Sequence, residues 1–326
     1  MRLSIITINY NNAEGLRKTL ASVASQIYRD IEHIIVDAAS TDGSVDIIRE
    51  YENTIKRSVT IDKSTIQVKW ICEKDGGIYA GMNKGIEIAL GKRVVNADHT
   101  SSPNSLNAKR STLNELLCDY IQILNSGDML ASPDVTQRMM DALRLEIGDR
   151  RSENEKQIDD RLTSIDILYG NMVKKDYATG EVIGKSGEVE YSLRQYYSAT
   201  INHDCCYIRR DLFEKYGLYD ENLKIVSDWK WFLQAIGLGD VKPVYVDIDV
   251  TIFDASGISE SNLELRNKER RQVLEELMPA AVLSDYDKYA FITTQYDRLK
   301  KYHLWGVVYF VERVLFKLNK WNILRG

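Results

Sequence analysis

Two stretches indicate the architecture of the chain, SIITINYNN at residues 4–12 and IIVDAASTDGS at residues 34–44. Each begins with a short apolar run and ends in polar and small residues, the pattern of a buried strand that leads into a turn. Helical patterns and further apolar runs alternate along the chain, at residues 14–26, 44–51, 68–72, 78–90 and 119–124. Because strands alternate with helices, we predict an α/β fold with a mostly parallel sheet that has helices on both faces.

The composition excludes several classes of protein. With 326 residues, of which 44% are hydrophobic, the chain can bury a sizeable core. Its 43 basic and 48 acidic side chains give a net charge of −5, so we expect no nucleic-acid partner. The first apolar run stops at Asn9, which is too short for a signal peptide or a membrane span. The four cysteines have no CxxC spacing, which favours reduced thiols and a cytoplasmic location.

The common motifs of nucleotide-binding proteins and hydrolases are absent. The sequence contains no GxGxxG, no HExxH and no GxSxG, and residues 85–92 lack the P-loop spacing. Polar clusters instead follow four predicted strands, at residues 7–10, 37–44, 73–77 and 125–128. Ligands of open α/β sheets bind at such strand ends, so we expect the clusters to meet at one rim. Asp37 follows its strand directly and can accept hydrogen bonds from a base or a ribose, with capping of the turn as its alternative role.

In this order, the motifs resemble the family 2 glycosyltransferases, which are inverting enzymes of the GT-A fold. The resemblance rests on the stretches above and on EKDGGIYAGMNKGI at residues 73–86, ILNSGDML at 123–130 and VSDWKWFL at 226–233. It implies transfer of a sugar from a nucleotide-diphospho-sugar, most commonly a UDP-sugar. The implied acceptor is a hydroxyl of a glycan or lipid-linked sugar, as in cell-surface polysaccharide assembly. A divalent cation, Mn²⁺ or Mg²⁺, is implied as the cofactor.

The resemblance also assigns roles to individual residues. Seven side chains correspond to donor-binding positions, namely Thr7, Asn9, Tyr10, Asp37, Asp75, Asn83 and Lys84. Asp128 matches the last carboxylate of the metal-binding motif, whereas Asn125 and Gly127 stand at its earlier acidic positions. One aspartate can suffice for Mg²⁺ when waters and phosphate oxygens complete the shell. A solvated helix face for Lys84 and a turn or helix cap for Asp128 remain the alternatives.

Asp228 corresponds to the catalytic base of the family. Residues 226–231 read as the start of a helix, with Ser227 as its cap. The helix dipole would stabilise the Asp228 anion, whereas Trp229 and Trp231 would desolvate it and raise its basicity. The sequence leaves open which effect dominates, and a capping Asp beside core tryptophans is the alternative interpretation.

Three further side chains are predicted to contact the acceptor or the diphosphate, His203, Trp229 and Trp231. The resemblance places His203 near these groups. A lone histidine is also often a hydrogen-bonded structural group, so both interpretations stay open.

We predict a GT-A domain at residues 1–260 and a helical extension at residues 261–326. The domain would comprise a nucleotide-sugar-binding half to residue 130, with an insertion at residues 92–117, and an acceptor-binding half at residues 131–260. In the extension, residues 303–326 interleave aromatic and basic side chains, which is typical of a helix on an anionic membrane surface. This pattern favours a peripheral location on the inner face of the membrane. Packing on the domain, or on a second copy in a homodimer, is the alternative.

A catalytically inactive protein is the rival interpretation. The reduced metal motif and the insertion also fit a nucleotide-sugar-binding or scaffold protein with a membrane-surface tail. The joint presence of Asp37, Asp75, Asp128 and Asp228 argues for the enzyme. A third interpretation is a membrane-surface adaptor that acts through its tail.

Overall fold

The computed structural model describes residues 1–57, 66–103, 118–152, 165–175, 180–254 and 262–323. The chain divides into two compact units, Met1–Arg270 and Arg271–Gly326. The first unit therefore ends at Arg270, whereas the prediction placed the domain boundary at residue 260. The difference arises because Glu269, on the helix that crosses this boundary, bonds to backbone N–H groups of Lys224 and Ile225 in the first unit.

The beginning of the chain alternates strands and helices as its pattern predicts. The elements are β1 (Leu3–Asn9), α1 (Ala13–Ala24), β2 (Ile31–Asp37), α2 (Ser44–Arg57), β3 (Gln67–Cys72) and α3 (Ile78–Ala89). Helix α2 continues beyond the predicted end at residue 51, because Ile55 extends the buried stripe that Ile48 and Tyr51 begin. A stripe with this spacing covers one face of a helix, so the added turn also packs on the core.

Part of the predicted insertion forms a small hairpin-like sheet. Strands β4 (Arg93–Val95) and β5 (Ser101–Pro103) pair with each other in antiparallel orientation. The carboxylate of Glu73 accepts hydrogen bonds from the backbone N–H and the hydroxyl of Ser101, which attaches this sheet to the end of β3. The rest of the predicted insertion, residues 104–117, lies outside the described residues.

The remaining elements of the first unit complete the sheet and its second helical layer. They are β6 (Tyr120–Ile123), β7 (Met129–Leu130), α4 (Val135–Ser152), β8 (Ile167–Lys175), β9 (Val182–Lys185), α5 (Leu193–Ser198), β10 (Cys206–Arg209), α6 (Leu212–Lys215), α7 (Ser227–Phe232), β11 (Pro243–Asp254) and α8 (Leu263–Leu277). Helix α7 continues as a π-helical turn over Leu233–Gly237.

Nine of the described strands form one sheet, in the order β3-β2-β1-β6-β10-β8-β11-β7 with β9 attached to β8. The pairs β3-β2, β2-β1, β1-β6 and β8-β11 are parallel, whereas β6-β10, β10-β8, β11-β7 and β8-β9 are antiparallel. The predicted α/β fold is confirmed, but the sheet is mixed and is parallel mainly in its first half. The sequence analysis did not predict that β10 would lie antiparallel between β6 and β8. As a result, the residues just before β10 reach the same end of the sheet as the carboxyl ends of β1 and β6.

The carboxyl ends of the first strands are level with one another. In the register of the sheet, Asn9 lies opposite Asp37, and Asp37 lies opposite Cys72. Helix α3 packs closely on β1, since a Cβ atom added at Gly85 would lie 2.3 Å from Cγ2 of Ile6. Because glycine has no Cβ, α3 can lie close to β1, and the side chains of α3 are placed accordingly.

The second unit is helical. It contains the end of α8, followed by α9 (Ala280–Lys301) and α10 (Trp305–Ile323). Pro279 stands at the N-cap of α9, where its missing N–H is tolerated although it would interrupt a continuous helix. Across the described ranges, no helix has both the length and the apolar character that crossing a bilayer requires.

Candidate active site

Asp37 organises the first loops of the rim. Its Oδ2 accepts a hydrogen bond from Nδ2 of Asn9 at 2.8 Å, and its Oδ1 accepts one from the backbone N–H of Ser40 at 2.8 Å. Asp37 and Asn9 are both buried, so the structure places them beneath the rim surface. Tyr10 is 67% exposed on the same loop. Of these three predicted donor-binding residues, Tyr10 has the side chain that faces solvent.

The side chain of Thr7 does not reach the rim. It is fully buried, and its Oγ1 lies 3.0 Å from Nε2 of His33, whose Nδ1 lies 2.8 Å from the hydroxyl of Tyr51. Burial lowers the pKa of His33 to about 3, so the ring is neutral and the network carries no charge. Thr7 therefore supports the contact between β1 and β2 from inside the core.

Asp75, Asn83 and Lys84 line one cavity of about 320 Å³ beside α3. Asp75 is partly exposed there, and its Oδ1 accepts a hydrogen bond from the backbone N–H of Gly77 at 2.9 Å. This bond closes the turn that leads into α3. The structure thus brings three predicted donor-binding residues together around a shared space.

Asn83 and Lys84 are both engaged by other protein groups. Nδ2 of Asn83 donates to the carbonyl of Tyr219 at 2.9 Å and to Oε1 of Glu221 at 2.8 Å, and its Oδ1 accepts from the N–H of Tyr219 at 3.0 Å. Nζ of Lys84 lies 2.8 Å from Oε1 of Glu73. Asn83 therefore clamps α3 to the loop before α7, and the Lys84 ammonium is neutralised by a carboxylate in this structure.

The turn that carries Asp128 is held by α1. The hydroxyl of Thr19 donates to the carbonyl of Asp128 at 2.7 Å and accepts from the N–H of Gly127 at 2.9 Å. Nδ2 of Asn12 donates to the carbonyl of Ser126 at 3.0 Å. Gly127 has a φ of 112°, a backbone conformation that favours glycine over an acidic residue at this position.

Asp228 stands in the first turn of α7 and is held by two long-range contacts. The hydroxyl of Tyr79 donates to Oδ1 at 2.9 Å, and Nδ1 of His203 lies 3.1 Å from Oδ2. Burial acts to raise the pKa of Asp228, but the hydrogen bond and charge of His203, the Tyr79 hydroxyl and the N–H of Trp229 together lower it. The sequence left open whether stabilisation of the anion or desolvation dominates at Asp228. In the structure the stabilising contacts dominate, so Asp228 is an anion at neutral pH.

His203 connects Asp228 to the turn after β6. Its Nε2 lies 3.1 Å from the side-chain amide of Asn125. Burial acts to lower the pKa of His203, but the hydrogen bond and charge of Asp228, followed by the charges of Asp204 and Asp128, raise it to about 9. A doubly protonated imidazole donates from both nitrogens, so the amide oxygen of Asn125, which otherwise lacks a partner among the described residues, is the group that should face Nε2.

Trp229 and Trp231 are buried, contrary to the expectation that they contact the acceptor. Nε1 of Trp229 donates to the carbonyl of Tyr196 at 2.8 Å, and Nε1 of Trp231 donates to the carbonyl of Gly217 at 2.9 Å. Both indoles thus fix α7 in the core. Ser227 is also not the predicted cap, because it is the first helical residue and its buried hydroxyl lacks a partner within the described ranges.

Three residues of the site were missed by the sequence analysis. Tyr79 lies inside the motif at residues 73–86, which was a signal that could have identified it. Glu269 and Arg270 of α8 reach α7 and its preceding loop from outside every motif, so no local signal pointed to them. Their contribution depends on how α8 packs against the first unit.

Few of the described side chains around Asp128 could ligate a divalent cation. Among the described residues, no group of three His, Cys, Asp or Glu side chains is arranged to hold a metal ion. His203 is protonated at neutral pH and is thus a poor ligand. A single buried aspartate fits a hard cation of the Mg²⁺ type whose other ligands are phosphate oxygens and waters.

The sequence of the chain is similar to those of known glycosyltransferases. The family described as glycosyl transferase family 2 matches residues 4–108. An uncharacterized glycosyltransferase of Mycobacterium tuberculosis is 26% identical over 259 residues, which are 78% of this chain and 76% of the relative. A PGL/p-HBAD biosynthesis glycosyltransferase of Mycobacterium bovis is 22% identical over 254 residues, which are 78% of this chain and 77% of the relative.

Two solved structures share the fold. S. aureus TarS 1–349 in complex with UDP-GlcNAc has a TM-score of 0.54 at 18% identity, over 84% of this chain and 64% of TarS 1–349. The mannosyltransferase PcManGT from Pyrobaculum calidifontis, in complex with GDP-Man and Mn²⁺, has a TM-score of 0.51 at 15% identity. That match covers 84% of this chain and 63% of PcManGT, so the chain spans less than two thirds of both solved chains.

The fold comparison and the geometry define the same class, since the first unit has the GT-A fold of glycosyltransferases. The sequence comparisons support the family that the motifs resemble: residues 4–108 match glycosyl transferase family 2, and a relative described as a glycosyltransferase matches 78% of the chain. The prediction that it is a transferase enzyme is confirmed with it.

Proposed function

We propose that the protein is an inverting glycosyltransferase that moves a sugar from a nucleotide-diphospho-sugar to a hydroxyl of a glycan or lipid-linked acceptor. The observation that carries this proposal is the Asp228 carboxylate, held as an anion by Tyr79 and His203 at the rim that also presents Asp128. A carboxylate that is fixed and ionised at neutral pH is suited to accept the proton of an attacking hydroxyl.

The reaction needs one proton transfer and one displacement. Asp228 takes the proton of the acceptor hydroxyl while the hydroxyl oxygen forms a bond to the anomeric carbon of the donor. The bond between that carbon and the diphosphate oxygen breaks, and the diphosphate leaves with the electron pair. Attack from the face opposite the leaving group inverts the anomeric carbon, and no covalent enzyme intermediate forms.

His203 and Tyr79 act on this step through Asp228. They hold both carboxylate oxygens, which restricts the rotation of the carboxylate and orients it for proton transfer. They also lower its pKa, which makes it a weaker base but keeps it ionised. A bound acceptor hydroxyl would have to approach an oxygen that still has an unused lone pair.

We assign the donor to the rim and to the cavity beside α3. Tyr10 is 67% exposed and Asp75 is partly exposed, and both are proposed as direct contacts of the donor. Asn9, Asp37, Asn83 and Lys84 would shape these loops or exchange their present partners for the donor, and Thr7 would support them from the core. A UDP-sugar is proposed as the donor; the structural neighbours were solved with UDP-GlcNAc in one case and GDP-Man in the other.

Asp128 is proposed to hold a Mn²⁺ or Mg²⁺ ion together with the diphosphate. Such an ion neutralises the charge that develops on the leaving group. The protein contributes one buried carboxylate and the rigid turn that Thr19 and Asn12 fix around it. The Mn²⁺ present with GDP-Man in PcManGT supports this assignment.

The second unit supports a location at a membrane surface. Helix α10 exposes apolar side chains, with 67% of Phe310 and 59% of Leu315 exposed, and Arg313 and Lys317 are exposed on the same helix. Apolar and basic side chains together suit an interface of anionic lipid. A lipid-linked acceptor would gain from this location, because enzyme and acceptor would meet at one surface.

Asp228→Asn tests the proposed function. The variant keeps the size of the side chain but removes the base, so we expect turnover to fall by about two to four orders of magnitude while donor binding persists. Asp240→Asn is the matched control, because Asp240 is a largely exposed carboxylate that pairs with Lys215. Turnover and calorimetric donor binding would be measured for both. Wild-type turnover in Asp228→Asn would refute the base assignment, and donor binding without turnover in the unaltered protein would favour the inactive binding protein.

A further inference from the structure

Two arginines of α8 lie next to the helix that carries Asp228. The guanidinium of Arg270 stands 5.0 Å from the centre of the Trp229 ring, and its Nη1 donates to the carbonyl of Ser198 at 2.6 Å. Arg266 lies one turn earlier on α8, and side chains four residues apart are neighbours on a helix surface. The two cationic groups thus form a pair beside α7.

Within the described part of the chain, no ion pair neutralises the positive charges of this pair. Neither guanidinium has a carboxylate within salt-bridge distance among the residues that the structure describes, and the Nε atoms of both are buried without a hydrogen-bond partner there. Buried charges in proteins are normally paired, and two like charges side by side are unfavourable. No described residue therefore supplies the anion that would neutralise this pair, which leaves the place for an anionic ligand.

The pair is held in place before any ligand arrives. Glu269, between the two arginines in sequence, accepts hydrogen bonds from the N–H groups of Lys224 at 2.7 Å and Ile225 at 2.9 Å. This bidentate contact attaches α8 to the segment that leads directly into α7. The position of Arg266 and Arg270 relative to Asp228 is consequently set by the fold, which reduces the entropy cost of binding a ligand.

We propose that Arg266 and Arg270 bind a phosphate group of the acceptor, next to the hydroxyl that Asp228 deprotonates. Planar guanidinium groups present donors in a fork that matches phosphate oxygens, and paired forks bind phosphate more strongly than single ammonium groups. The proposal rests on the proposed function, because it assigns the phosphate to the acceptor of that reaction. The acceptor would then be a phosphorylated glycan or a lipid-linked sugar phosphate.

The charges that act on each group favour the acceptor over the donor diphosphate as the source of the phosphate. The pKa of Arg270 is lowered by burial and by Arg266, and Asp228 opposes this, whereas the charge of Asp128 acts on His203. The charge of the base therefore acts on Arg270, which lies beside the helix that carries Asp228. Its contact with Trp229, the residue after Asp228, agrees with this location.

The test uses phenyl phosphate as a probe and the full chain. Calorimetric titration would compare the wild type with Arg266→Ala, Arg270→Ala and Lys268→Ala. Lys268 is the matched control, because it is an exposed cation on the same helix. We expect the Kd for phenyl phosphate to rise about tenfold or more in each arginine variant, as expected for loss of a charge-assisted hydrogen bond, and to stay unchanged in Lys268→Ala.

A second titration identifies the source of the phosphate. Wild type saturated with UDP and Mg²⁺ should still bind phenyl phosphate, and UDP should bind the arginine variants with wild-type affinity. Competition between UDP and phenyl phosphate would overturn the assignment to the acceptor. Unchanged phenyl phosphate binding in Arg266→Ala, or no binding to the wild type at millimolar concentration, would overturn the site itself.

Weaker binding by an arginine variant can be distinguished from a loss of folding. Arg266 makes no side-chain hydrogen bond within the described residues, so Arg266→Ala should keep the fold, as circular dichroism would verify. Arg270→Lys keeps the charge but loses the fork, and weaker phenyl phosphate binding by this folded variant is expected. Because binding is measured without turnover, arginine-dependent binding in a protein that transfers no sugar would refute the proposed function and leave the phosphate site standing.

Discussion

Nδ1 of His203 lies 3.1 Å from Oδ2 of Asp228, and each of the two side chains is 19% exposed. The pair joins the residues before β10 to the helix that carries the proposed base. Through Nε2 of His203 and the amide of Asn125, the contact extends to the turn that presents Asp128. The base and the proposed cation site are thus connected through one imidazole, and changes at either end should affect the other.

Loss of the Tyr79 hydroxyl should make Asp228 harder to ionise. Tyr79→Phe removes the donor to Oδ1 and keeps the ring, so the pKa of Asp228 should rise. We expect the acid limb of the kcat/KM profile to move to higher pH, and kcat at neutral pH to fall about threefold to tenfold. The control is Tyr120→Phe, which removes a buried hydroxyl that donates to the carbonyl of Ile165. A profile identical to that of the wild type would contradict the contact's role.

His203 should make stability depend on pH above neutrality. Its pKa is raised from 6.5 to about 9 in the folded protein, so its contribution is complete below pH 6.5 and is lost as the pH rises through 9. We expect the wild type to be more stable than His203→Gln near pH 6, on the order of 3 kcal/mol, and the difference to shrink toward zero near pH 10. Thermal unfolding over this range measures it. A difference that does not change with pH would show that the ring acts as a neutral group.

Removal of the cation should weaken donor binding through Asp128. We expect a chelator to raise the Kd for UDP of the wild type about tenfold or more, and Asp128→Asn to bind UDP weakly whether or not Mn²⁺ is present. Calorimetric titration of UDP with and without Mn²⁺ measures both effects. Asp134→Asn, six residues further along, is a control that removes an exposed carboxylate. If Mn²⁺ strongly increased the affinity of Asp128→Asn for UDP, the cation would have to bind at another residue.

Deletion of residues 303–326 should abolish binding to anionic membranes. We expect the full chain to sediment with vesicles that contain anionic phospholipid, more weakly at high salt, and the truncated chain to stay in solution. Phe310→Glu should weaken sedimentation, whereas Glu312→Gln, a control on the same helix, should not. A different result would be that the full chain stays in solution with vesicles and elutes as a dimer, and that the truncated chain elutes as a monomer. That result would identify a second copy as the partner of α10.

Several features of the first unit follow from local pattern. The strands around Ile5 and Ile35 are buried along nearly their whole length, because both faces of this parallel part of the sheet are covered. Their short apolar runs could therefore be recognised from the sequence. The polar residues after these strands predicted a common rim. The register of the sheet agrees with this prediction, because it places Asn9 opposite Asp37. The direction of β10 could not be predicted, because a short apolar run has the same sequence pattern in a parallel and an antiparallel strand.

Local sequence patterns were enough to predict the alternation of strands and helices, the resemblance to the family 2 glycosyltransferases and the position of Asp228 at the start of a helix, since each depends on residues close together in the chain. The packed fold was needed to show that Thr7 faces the core, that Trp229 and Trp231 are buried, and that Asp228 is held by Tyr79, 149 residues away. The physical reason is that the ionisation of a carboxylate depends on the balance between desolvation and the donors around it. Those donors come from distant segments that only the packed fold brings together.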